Sequence, residues 1–573
     1  MESAEKIWGI TKPISSALPT PAETHNTTLL LEELKRQNTF ETASETKKRV
    51  ARVKEPHNDV LIRDARGEVF TYGSYCLGVF GPGSDLDTLV TAPRYVTRDD
   101  YFKYFPDLLI EMAPPGAITG LTAVEGAFVP IIKFEYWGIS IDLIFSRIAT
   151  LTQFPPHNQL QLTNNEYLRG LDDRELRSLN GTRVTREILN LVPEQSTFRT
   201  ALRAIKLWAQ RRAIYGNIIG FPGGVVWAMM IARVCQLYPK ATSATIVAKF
   251  FLVMKTWPWP LPIQLKHMED GPLNVRVWNP KVYKSDSFHL MPVITPAYPQ
   301  MCATFNITKS TKAIIQRELE RGVELTGEIL GSGRPWKDLF VKHTFFTHDH
   351  KYYLAVIATS STNEAHKIWS GFVESKVRIL VSELERHSSV ALARPFNKRF
   401  DRQHLSKTDE ESTEIQNGSL LYVTKDEDDS TDAAMTKKED SSEGHTDNPD
   451  PNVNAEGPVL PKRIYTATHY IGLELAEGAK TLDLSYQVNA FKQMCSEWDK
   501  YSSELNFLSI QHVKNLNLPD DVFEPGEVKP TRPLKRPVAN GTTPAPSKKR
   551  TASTEGHPPP PAKRQQSSAA AAG

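Results

Sequence analysis

Residues 73–87 constrain this chain of 573 residues more than any other stretch, because two Gly-Ser turns lead into a pair of aspartates. Asp85 and Asp87 are separated only by Leu86. On a strand both aspartates point to one face, with Cα atoms roughly 6.5 to 7 Å apart, while Leu86 points toward the core. Carboxylates at this spacing repel each other unless a cation lies between them. Mg²⁺ and Mn²⁺ prefer oxygen ligands of this kind, which predicts a metal site on the strand.

A third carboxylate, Asp142, interrupts the apolar strand pattern of residues 139–145. A charge within such a strand is costly unless it is paired or bound to a metal. Beside the first pair it completes a two-metal site, in which ions about 3.5 to 4 Å apart stabilise the attacking and leaving oxygens of a phosphoryl transfer. The turn at Gly73 offers backbone N–H groups to a triphosphate. The pattern therefore favours nucleotide chemistry.

Other motifs and the cysteine spacing exclude several classes of protein. A single Asp-x-Asp usually marks a solvated turn, so the Gly-Ser pairs before it carry the specificity. The chain has no GxxxxGK[ST] motif and no GxGxxG motif, which argues against P-loop NTPases and dinucleotide-binding proteins. Its four cysteines are too far apart for a disulfide framework or for paired zinc ligands. Because no clean apolar stretch reaches about 20 residues, we expect a soluble intracellular protein without a membrane partner.

The formal net charge of +3 conceals two segments of opposite charge. Residues 407–456 contain 15 acidic and 4 basic side chains, a net charge of −11, whereas residues 529–573 contain 9 basic and 1 acidic, a net charge of +8. Neither segment has enough large apolar residues to offset the entropy of ordering. We therefore expect a disordered acidic insert at 407–456 and a disordered basic tail at 516–573.

Hydrophobic periodicity divides the rest of the chain into three domains. Residues 1–192 contain short strands and Gly-rich turns, and residues 193–342 are dominated by a helical pattern that starts behind Ser196 as a predicted N-cap. Residues 343–515 return to mixed strands and helices on both sides of the acidic insert. The expected fold class is a multidomain α+β protein with a disordered tail.

Residues 73–87 together with Asp142 resemble the nucleotidyltransferase superfamily typified by DNA polymerase β. Over residues 5–515 the chain is similar to the eukaryotic nuclear poly(A) polymerases of mRNA 3′-end processing, in their fungal form. The further stretches that carry this resemblance are 177–185, 203–209, 220–225, 291–299 and 371–375. The resemblance implies a nucleotidyltransferase catalytic domain, a central helical domain and a C-terminal domain of the RRM-like (ferredoxin-like) fold.

The family also implies roles for individual residues. Asp85, Asp87 and Asp142 would ligate two Mg²⁺ or Mn²⁺ ions and catalyse the transfer of AMP from ATP to the 3′-hydroxyl of RNA. The implied nucleotide-binding residues are Tyr72, Gly73, Ser74, Ser84, Asp85, Leu86, Asp87, Asp142, Lys206, Tyr215, Gly224 and Val225. The implied contacts to RNA or to a base are Phe128, Val129, Lys133, Asn180 and Asn217, although Asn217 fits a turn or cap residue equally well.

Three positions depart from the family pattern, which usually has Phe, Arg and His where this chain has Tyr72, Cys76 and Phe80. The first exchange is conservative. The other two remove potentially cationic groups beside the triphosphate turn. In the C-terminal domain, no clear RNP1 pattern supports base stacking on sheet aromatics. We expect basic residues there to hold the RNA backbone with marked salt sensitivity.

The predicted function is template-independent polyadenylation, with the RNA 3′ end and ATP as substrates and the cleavage and polyadenylation factors as protein partners. A uridylyl- or CCA-adding transferase is the alternative within the enzyme class, and an inactive RNA-binding scaffold is the alternative outside it. The basic clusters of the tail have the form of a bipartite nuclear localisation signal, which predicts a nuclear import receptor as a partner and the nucleus as the compartment. The alternative for this tail is a solubilising or RNA-touching segment. The predicted signal comprises Lys535, Arg536, Lys548, Lys549 and Arg550.

Overall fold

The computed structural model describes residues 7–42, 45, 67–127, 129–156, 160–269, 271, 273, 275–424, 461–479 and 481–531.

The N-terminal helix α1 (Pro21–Arg36) is part of the central core. A capping box starts α1, in which the side chain of Thr20 accepts from the N–H of Glu23 and the carboxylate of Glu23 accepts from the N–H of Thr20. Leu30 and Leu34 are fully buried among side chains of the central helices. The segment before the first sheet therefore packs with the middle of the chain.

A five-stranded sheet follows, with the strand order β1-β2-β5-β4-β3. Strands β2 and β5 are parallel, and the other neighbours in this sheet are antiparallel. The elements of this part are β1 (Glu68–Thr71), α2 (Gly73–Leu77), β2 (Leu86–Pro93), α3 (Arg98–Met112), β3 (Ile118–Val124), β4 (Ile131–Tyr136) and β5 (Ile139–Ile148). The parallel register places Asp87 opposite Asp142.

The middle of the chain is helical and encloses the largest hydrophobic core. Its helices are α4 (Asp173–Leu191), α5 (Gln195–Arg211), α6 (Gly224–Leu237), α7 (Ser243–Thr256) and α8 (Lys309–Ser332). Trp208 is fully buried and packs edge-to-face on Phe251, with ring centroids 4.9 Å apart. Even the apolar helix α6 has only 14 residues, and no described helix combines the length and apolar character that a membrane crossing requires.

The prediction of Ser196 as the N-cap of the helix was wrong by two residues. Glu194 is the N-cap of α5, and its carboxylate accepts from the N–H groups of Ser196 and Thr197 at 3.0 and 2.5 Å. A carboxylate near a helix N-terminus is also favoured by the helix dipole. The longer side chain of Glu194 satisfies two free N–H groups at once, which explains why the helix begins earlier than the hydrophobic pattern indicates.

The C-terminal domain has an antiparallel sheet in the order β10-β6-β9-β7, and β8 also pairs with β9. Two helices cover one face of this sheet, where Trp369 and Val373 pack against strand residues such as Val356. This arrangement is the RRM-like domain that the family resemblance implied. Its elements are β6 (Tyr352–Ser360), α9 (Asn363–Leu384), β7 (Val390–Pro395), β8 (Phe400–Ser406), α10 (Asp409–Gln416), β9 (Lys462–Leu475), α11 (Ser485–Ser496) and β10 (Asn506–Lys514).

The predicted disordered segments are partly ordered, so their predicted starting points were wrong. Within 407–424, helix α10 has three acidic residues in its first turn, as the helix dipole favours, and its Ile415 is fully buried. Within 516–531, Leu518 and Val522 are buried against the C-terminal sheet. A few buried apolar residues hold both stretches in place, and the average composition of a segment does not reveal such single residues. The rest of the insert, 425–456, and the tail from 532 onward lie outside the described residues.

A buried arginine joins the central helices to the C-terminal sheet. Arg394 on β7 has a side chain only 5% exposed, and it pairs with Asp349 at 2.8 Å. It also donates to the carbonyl of Arg212 at 3.0 Å. The Arg212 side chain in turn pairs with Glu318 of α8 at 2.9 Å. Breaking one member of such a network leaves an uncompensated buried charge, so this junction fixes the two parts against each other.

Replacing Gly322 by Ala on α8 is expected to destabilise the protein although Ala is the better helix former. A Cβ at this position would lie 2.1 Å from Cδ1 of Phe251, and that ring is held by the core. We expect a loss of about 1 to 3 kcal/mol in the free energy of unfolding. Chemical denaturation followed by tryptophan fluorescence measures it.

The matched control is Gly327→Ala on the same helix, where no atom lies within 4 Å of the added Cβ. This substitution should stabilise the protein by up to about 1 kcal/mol through helix propensity alone. Equal effects of the two substitutions would contradict the packing argument.

Candidate active site

The two central aspartates of the site lie on neighbouring parallel strands. Asp87 on β2 is paired in register with Asp142 on β5, and neighbouring strands lie only about 4.8 Å apart. Burial raises the pKa of Asp87 to about 6, with further contributions from the charges of Asp142 and Asp85. Leu86 is buried, as its predicted orientation requires. The arrangement concentrates negative charge on two interior strands of the sheet.

Asp85 lies one residue before β2 rather than in the strand. The preceding turn continues to Ser84, whose N–H donates to the carbonyl of Gly81 at 3.1 Å and whose Oγ accepts from the N–H of Gly81 at 3.0 Å. The strand therefore begins only at Leu86, and Asp85 is exposed. Because its charge still raises the pKa of Asp87, Asp85 belongs to the same carboxylate cluster, defined as Asp85, Asp87 and Asp142.

The turn before β2 is built around the carboxylate of Asp87. Gly73 opens helix α2 with a φ of +61°, and a Cβ there would lie 2.0 Å from Oδ2 of Asp87. The N–H of Ser74 donates to the same carboxylate and lowers its pKa, which partly opposes the larger raising effects. The N–H of Gly73 donates to Oγ1 of Thr185 on α4 at 3.3 Å. Only glycine fits at position 73, and the backbone of the turn holds Asp87 in place.

Lys133 on β4 forms an ion pair with Asp142, with 2.6 Å between Nζ and Oδ2. Its side chain is 50% exposed, whereas that of Asp142 is 15% exposed. Within the residues that the structure describes, no three His, Cys, Asp or Glu side chains converge closely enough to enclose an ion as they stand. The chemistry of the cluster nevertheless fits a divalent cation, because among the described residues only Asp142 of the three carboxylates has an ion-pair partner. Burial, followed by the charges of Asp142 and Asp85, raises the pKa of Asp87, as expected for carboxylates without a cation between them.

Helix α5 brings a lysine to the same carboxylates. Burial and the neighbouring Arg203 lower the pKa of Lys206, while the charges of Asp87 and Asp85 raise it. A cation this close to a carboxylate cluster is favoured electrostatically and can also meet an anionic ligand. The structure thus brings the predicted nucleotide residue Lys206 to the predicted metal ligands.

Tyr215 and the start of α6 complete this side of the cluster. Burial and the charge of Asp87 raise the pKa of Tyr215. A Cβ at Gly224, the first residue of α6, would lie 2.6 Å from the hydroxyl of Tyr215, so that a larger residue there would displace the phenol. The neighbouring Val225 is 39% exposed. The amide Nδ2 of Asn397, from the C-terminal domain, reaches the carbonyl of Tyr215 at 3.5 Å.

Arg203 is a positioning residue that the sequence analysis missed. Its guanidinium donates to the carbonyls of Gly78 at 2.9 Å, Phe80 at 2.7 Å and Thr39 at 2.6 Å. It therefore ties the turn after α2 and the N-terminal segment to α5, three residues before Lys206. A signal was present in the sequence, because Arg203 is the first residue of the family-like stretch 203–209.

The departures at Cys76 and Phe80 leave a basic environment in place. Burial raises the pKa of the Cys76 thiol, and the charges of Arg186 and Arg199 oppose that effect. Arg199 donates from Nε to the carbonyl of Leu77 at 3.0 Å. Arginines of α4 and α5 therefore flank the turn where the family usually has charged residues within the turn itself.

The remaining predicted residues are only partly brought to the cluster. The ring of Tyr72 packs on Gly181, where an added Cβ would lie 3.2 Å away, and the adjacent Asn180 has a buried Oδ1 without a hydrogen-bond partner in the described residues. No hydrogen bond or ion pair of the described residues joins Val129 or Asn217 to the carboxylates. Val129 packs in the core behind β5, and Asn217 is exposed. The predicted RNA contact Phe128 lies outside the described residues.

Comparison with family models covers nearly the whole chain. Residues 9–192 match the model described as "Poly(A) polymerase nucleotidyltransferase domain". Residues 197–342 match "Poly(A) polymerase central domain", and residues 344–532 match "Poly(A) polymerase predicted RNA binding domain".

Known relatives give the same result at the level of whole chains. The chain is 48% identical over 559 residues to "Poly(A) polymerase pla1" of Schizosaccharomyces pombe, covering 93% of this chain and 97% of that protein. It is 44% identical over 568 residues to "Poly(A) polymerase PAPa" of Candida albicans, covering 96% and 98%. A solved structure of Cid1 with its short product ApU aligns with 56% of this chain and 99% of its own at 13% identity and a TM-score of 0.40, a similarity too weak for any argument.

In the absence of divalent cations, the contribution of Asp87 to stability, read as the difference between the wild type and Asp87→Asn, should fall as the pH rises from about 4 to about 7. The folded state raises the pKa of Asp87 from 3.8 to about 6, so it binds this proton more tightly than the unfolded state and loses that advantage as the pH rises through 6. Asp87→Asn should remove this contribution. We expect a gain on the order of 1 kcal/mol at pH 8 in EDTA, measured by thermal unfolding.

The control is Asp107→Asn at an exposed position of α3, which should keep the pH dependence of the wild type. An Asp87→Asn protein that is less stable than the wild type at pH 8 would overturn this account of the cluster.

Proposed function

The chain belongs to the poly(A) polymerase family, and on that premise we propose that Asp85, Asp87 and Asp142 form its catalytic centre. The protein is a template-independent polynucleotide adenylyltransferase, as its full-length relatives at 44% to 48% identity indicate. The observation that carries the proposal is the register pairing of Asp87 with Asp142, together with the raised pKa of Asp87. Charge of this kind suits a site that binds cations and transfers phosphoryl groups.

The family uses ATP and a divalent metal, and we propose that the three carboxylates hold two ions, either Mg²⁺ or Mn²⁺. When bound, such ions neutralise the triphosphate and acidify the attacking hydroxyl. In the reaction, the 3′-oxygen of RNA bonds to the α-phosphorus of ATP, the α–β anhydride bond breaks, pyrophosphate leaves and the hydroxyl proton is released. Gly73 and Ser74 support this role because their backbone fixes the orientation of Asp87.

Lys206 and Tyr215 are proposed to bind the triphosphate of ATP. Lys206 lies on α5, and the charges of Asp87 and Asp85 in the carboxylate cluster act on its ammonium group. Gly224 leaves room for the hydroxyl of Tyr215, and the start of α6 presents N–H groups that no N-cap side chain occupies. Arg203 fixes the turn after α2 relative to α5, which carries Lys206. The carboxylate cluster and the proposed triphosphate-binding residues therefore keep a constant position relative to each other.

We propose that Lys133, with Val129 and Phe128, contacts the end of the RNA. The half-exposed ammonium of Lys133 lies 2.6 Å from Oδ2 of Asp142, which supports a contact with a 3′-hydroxyl that approaches the cluster. Asn180 and Asn217 are proposed to read the base, and the unpaired Oδ1 of Asn180 supports this role for the first of them. The uridylyl- and CCA-adding alternatives gain no support from the relatives at 44% to 48% identity described above, which are poly(A) polymerases.

Nuclear import through the basic clusters of the tail also remains a proposal, as does binding to cleavage and polyadenylation factors. The clusters have two groups of basic residues with the spacing of a bipartite signal, and they lie outside the described residues. The residues concerned are Lys535, Arg536, Lys548, Lys549 and Arg550.

Primer extension tests the proposed catalytic centre. With an unlabelled oligo(A) primer and each of the four NTPs, the wild type should extend with ATP in Mg²⁺ or Mn²⁺, and Asp87→Ala and Asp142→Ala should lose at least about 1,000-fold in rate because the cation site is broken. Asp107→Ala, at an exposed position of α3, is the control and should stay active. Equal extension with UTP would refute the adenylyl assignment, and full activity of Asp87→Ala would refute the catalytic one.

An import assay tests the tail. Replacing Lys548, Lys549 and Arg550 by Ala should shift a fluorescent fusion of the full chain from the nucleus to the cytoplasm, because the receptor loses its charge contacts. The control replaces the separate pair Lys563 and Arg564 by Ala, which should leave import intact. If the triple variant still enters the nucleus as the wild type does, the proposed import signal is wrong.

A further inference from the structure

A cavity of about 520 Å³ lies on the face of the C-terminal sheet opposite α9 and α11. Its floor is the outer face of the strands, where Ala355 and Ile357 of β6 alternate with residues that face the helices. Its walls are the end of α10 and the segment after β10, the same two stretches that were expected to be disordered. The volume lies in the range of pockets that hold small organic groups.

Apart from Arg402, Asp520 and Lys529, the polar side chains that line this sheet-face cavity are neutral. Burial and nearby Arg402 lower the pKa of His404 to about 4, so its ring is uncharged. His404 is only 1% exposed and its Nε2 lies 2.9 Å from Oγ1 of Thr466, so it forms part of the cavity wall. The Asn417 amide, at the mouth, makes no hydrogen bond within the described residues.

The charged groups of the lining are already neutralised. Arg402 forms two hydrogen bonds with the carboxylate of Asp521, at 2.6 and 3.0 Å. Lys529 pairs with Asp520 at 2.8 Å. A phosphate or a metal ion would find no uncompensated opposite charge here. Neutral donors and acceptors between apolar walls suit a neutral, planar heterocycle instead.

We propose that the sheet-face cavity binds one unpaired adenine of the bound RNA, upstream of the 3′ end. The inference deepens the proposed function in one respect, because it takes RNA as the substrate. Amide side chains match the donor and acceptor pattern of an adenine edge, and both Asn417 and Gln511 line the cavity. The Nε2 of Gln511 also donates to Oγ of Ser509 at 2.8 Å, which leaves its second N–H and its carbonyl oxygen for a ligand. The base would be enclosed between the strands and the two covering segments, and stacking on an exposed aromatic ring is not required.

This mode differs from the usual use of an RRM-like sheet, in which bases stack on surface aromatics. Here the aromatic rings of that face are buried: Tyr353 and Tyr470 are 0% and 3% exposed and pack with Phe345 and Phe346. What the face leaves open is the cavity beside them. In this domain, a base would therefore be recognised in the sheet-face cavity and not on a flat surface of aromatic side chains.

Blocking the mouth of the cavity provides the test. Ser419→Trp places a large ring at a lining position, and Ser503→Trp, at an exposed serine elsewhere in the same domain, is the matched control. The ligands are fluorescent 20-nucleotide oligo(A) RNAs, each with an abasic site at one position. Anisotropy titrations of the full chain give Kd for every position and protein.

In the wild type and in Ser503→Trp, one abasic position should weaken binding about three- to tenfold, since one enclosed base is lost. In Ser419→Trp the same position should change Kd by less than about 1.5-fold, because the recess is already closed. Asn417→Ala, an exposed substitution that spares the fold, should halve the effect or more. A uridine at the sensitive position should behave as the abasic site does.

Equal abasic profiles in the wild type and in Ser419→Trp would overturn the proposal, and this is also the outcome if a protein segment or a free small molecule occupies the cavity. Equal binding of uridine and adenine at the sensitive position would overturn the assignment to adenine. Because these are binding measurements, they are independent of catalysis. A failure of the proposed function would appear separately, as the absence of primer extension with ATP by a protein that still binds RNA.

Discussion

Repulsion between Asp87 and Asp142 is the constraint on which the catalytic domain depends. Parallel pairing of β2 and β5 leaves the two carboxylates side by side on two interior strands of the sheet. Burial and, after it, the charge of Asp142 raise the pKa of Asp87. The surrounding chain offsets part of this repulsion. The Ser74 N–H donates to Asp87, Lys133 pairs with Asp142, and the charge of Lys206 favours the cluster. The negative charge that these contacts leave uncompensated attracts cations.

The geometry of the cluster is fixed from the helical domain rather than from the sheet alone. Arg203 on α5 donates to two backbone carbonyls of the turn after α2 and to one of the N-terminal segment, so the turn and Lys206 are held by the same helix. That helix is anchored by Trp208, which is fully buried against Phe251. Because interiors are closely packed and transmit strain, a change in this core would reach the site through Arg203. The positions of the carboxylates therefore depend on close packing in this core.

Sequence patterns predicted the chemistry of the site better than its framework. Strand alternation indicated that Leu86 is buried, because alternation is a local rule. The grouping of Asp142 with Asp87 came from its position as a charge in an apolar strand and from the family resemblance. The contacts of Arg203 join residues more than 100 positions apart, which no local pattern reveals. Disorder was predicted too widely for the same reason. Burial of Ile415 and Leu518 depends on which surface the chain meets, whereas composition describes only the segment itself.

The two faces of the C-terminal sheet perform different tasks, and this division explains why the domain lacks the aromatic pattern of an ordinary RRM. One face buries α9 and α11. On the other face, Tyr353 donates its hydroxyl to the carbonyl of Phe345 at 2.6 Å and closes the sheet against the chain arriving from the central helices. Arg394 seals the same junction through Asp349. Aromatic rings that an RRM leaves exposed for RNA are therefore used here to fix one domain against the next, and any base recognition must come from what that junction leaves open.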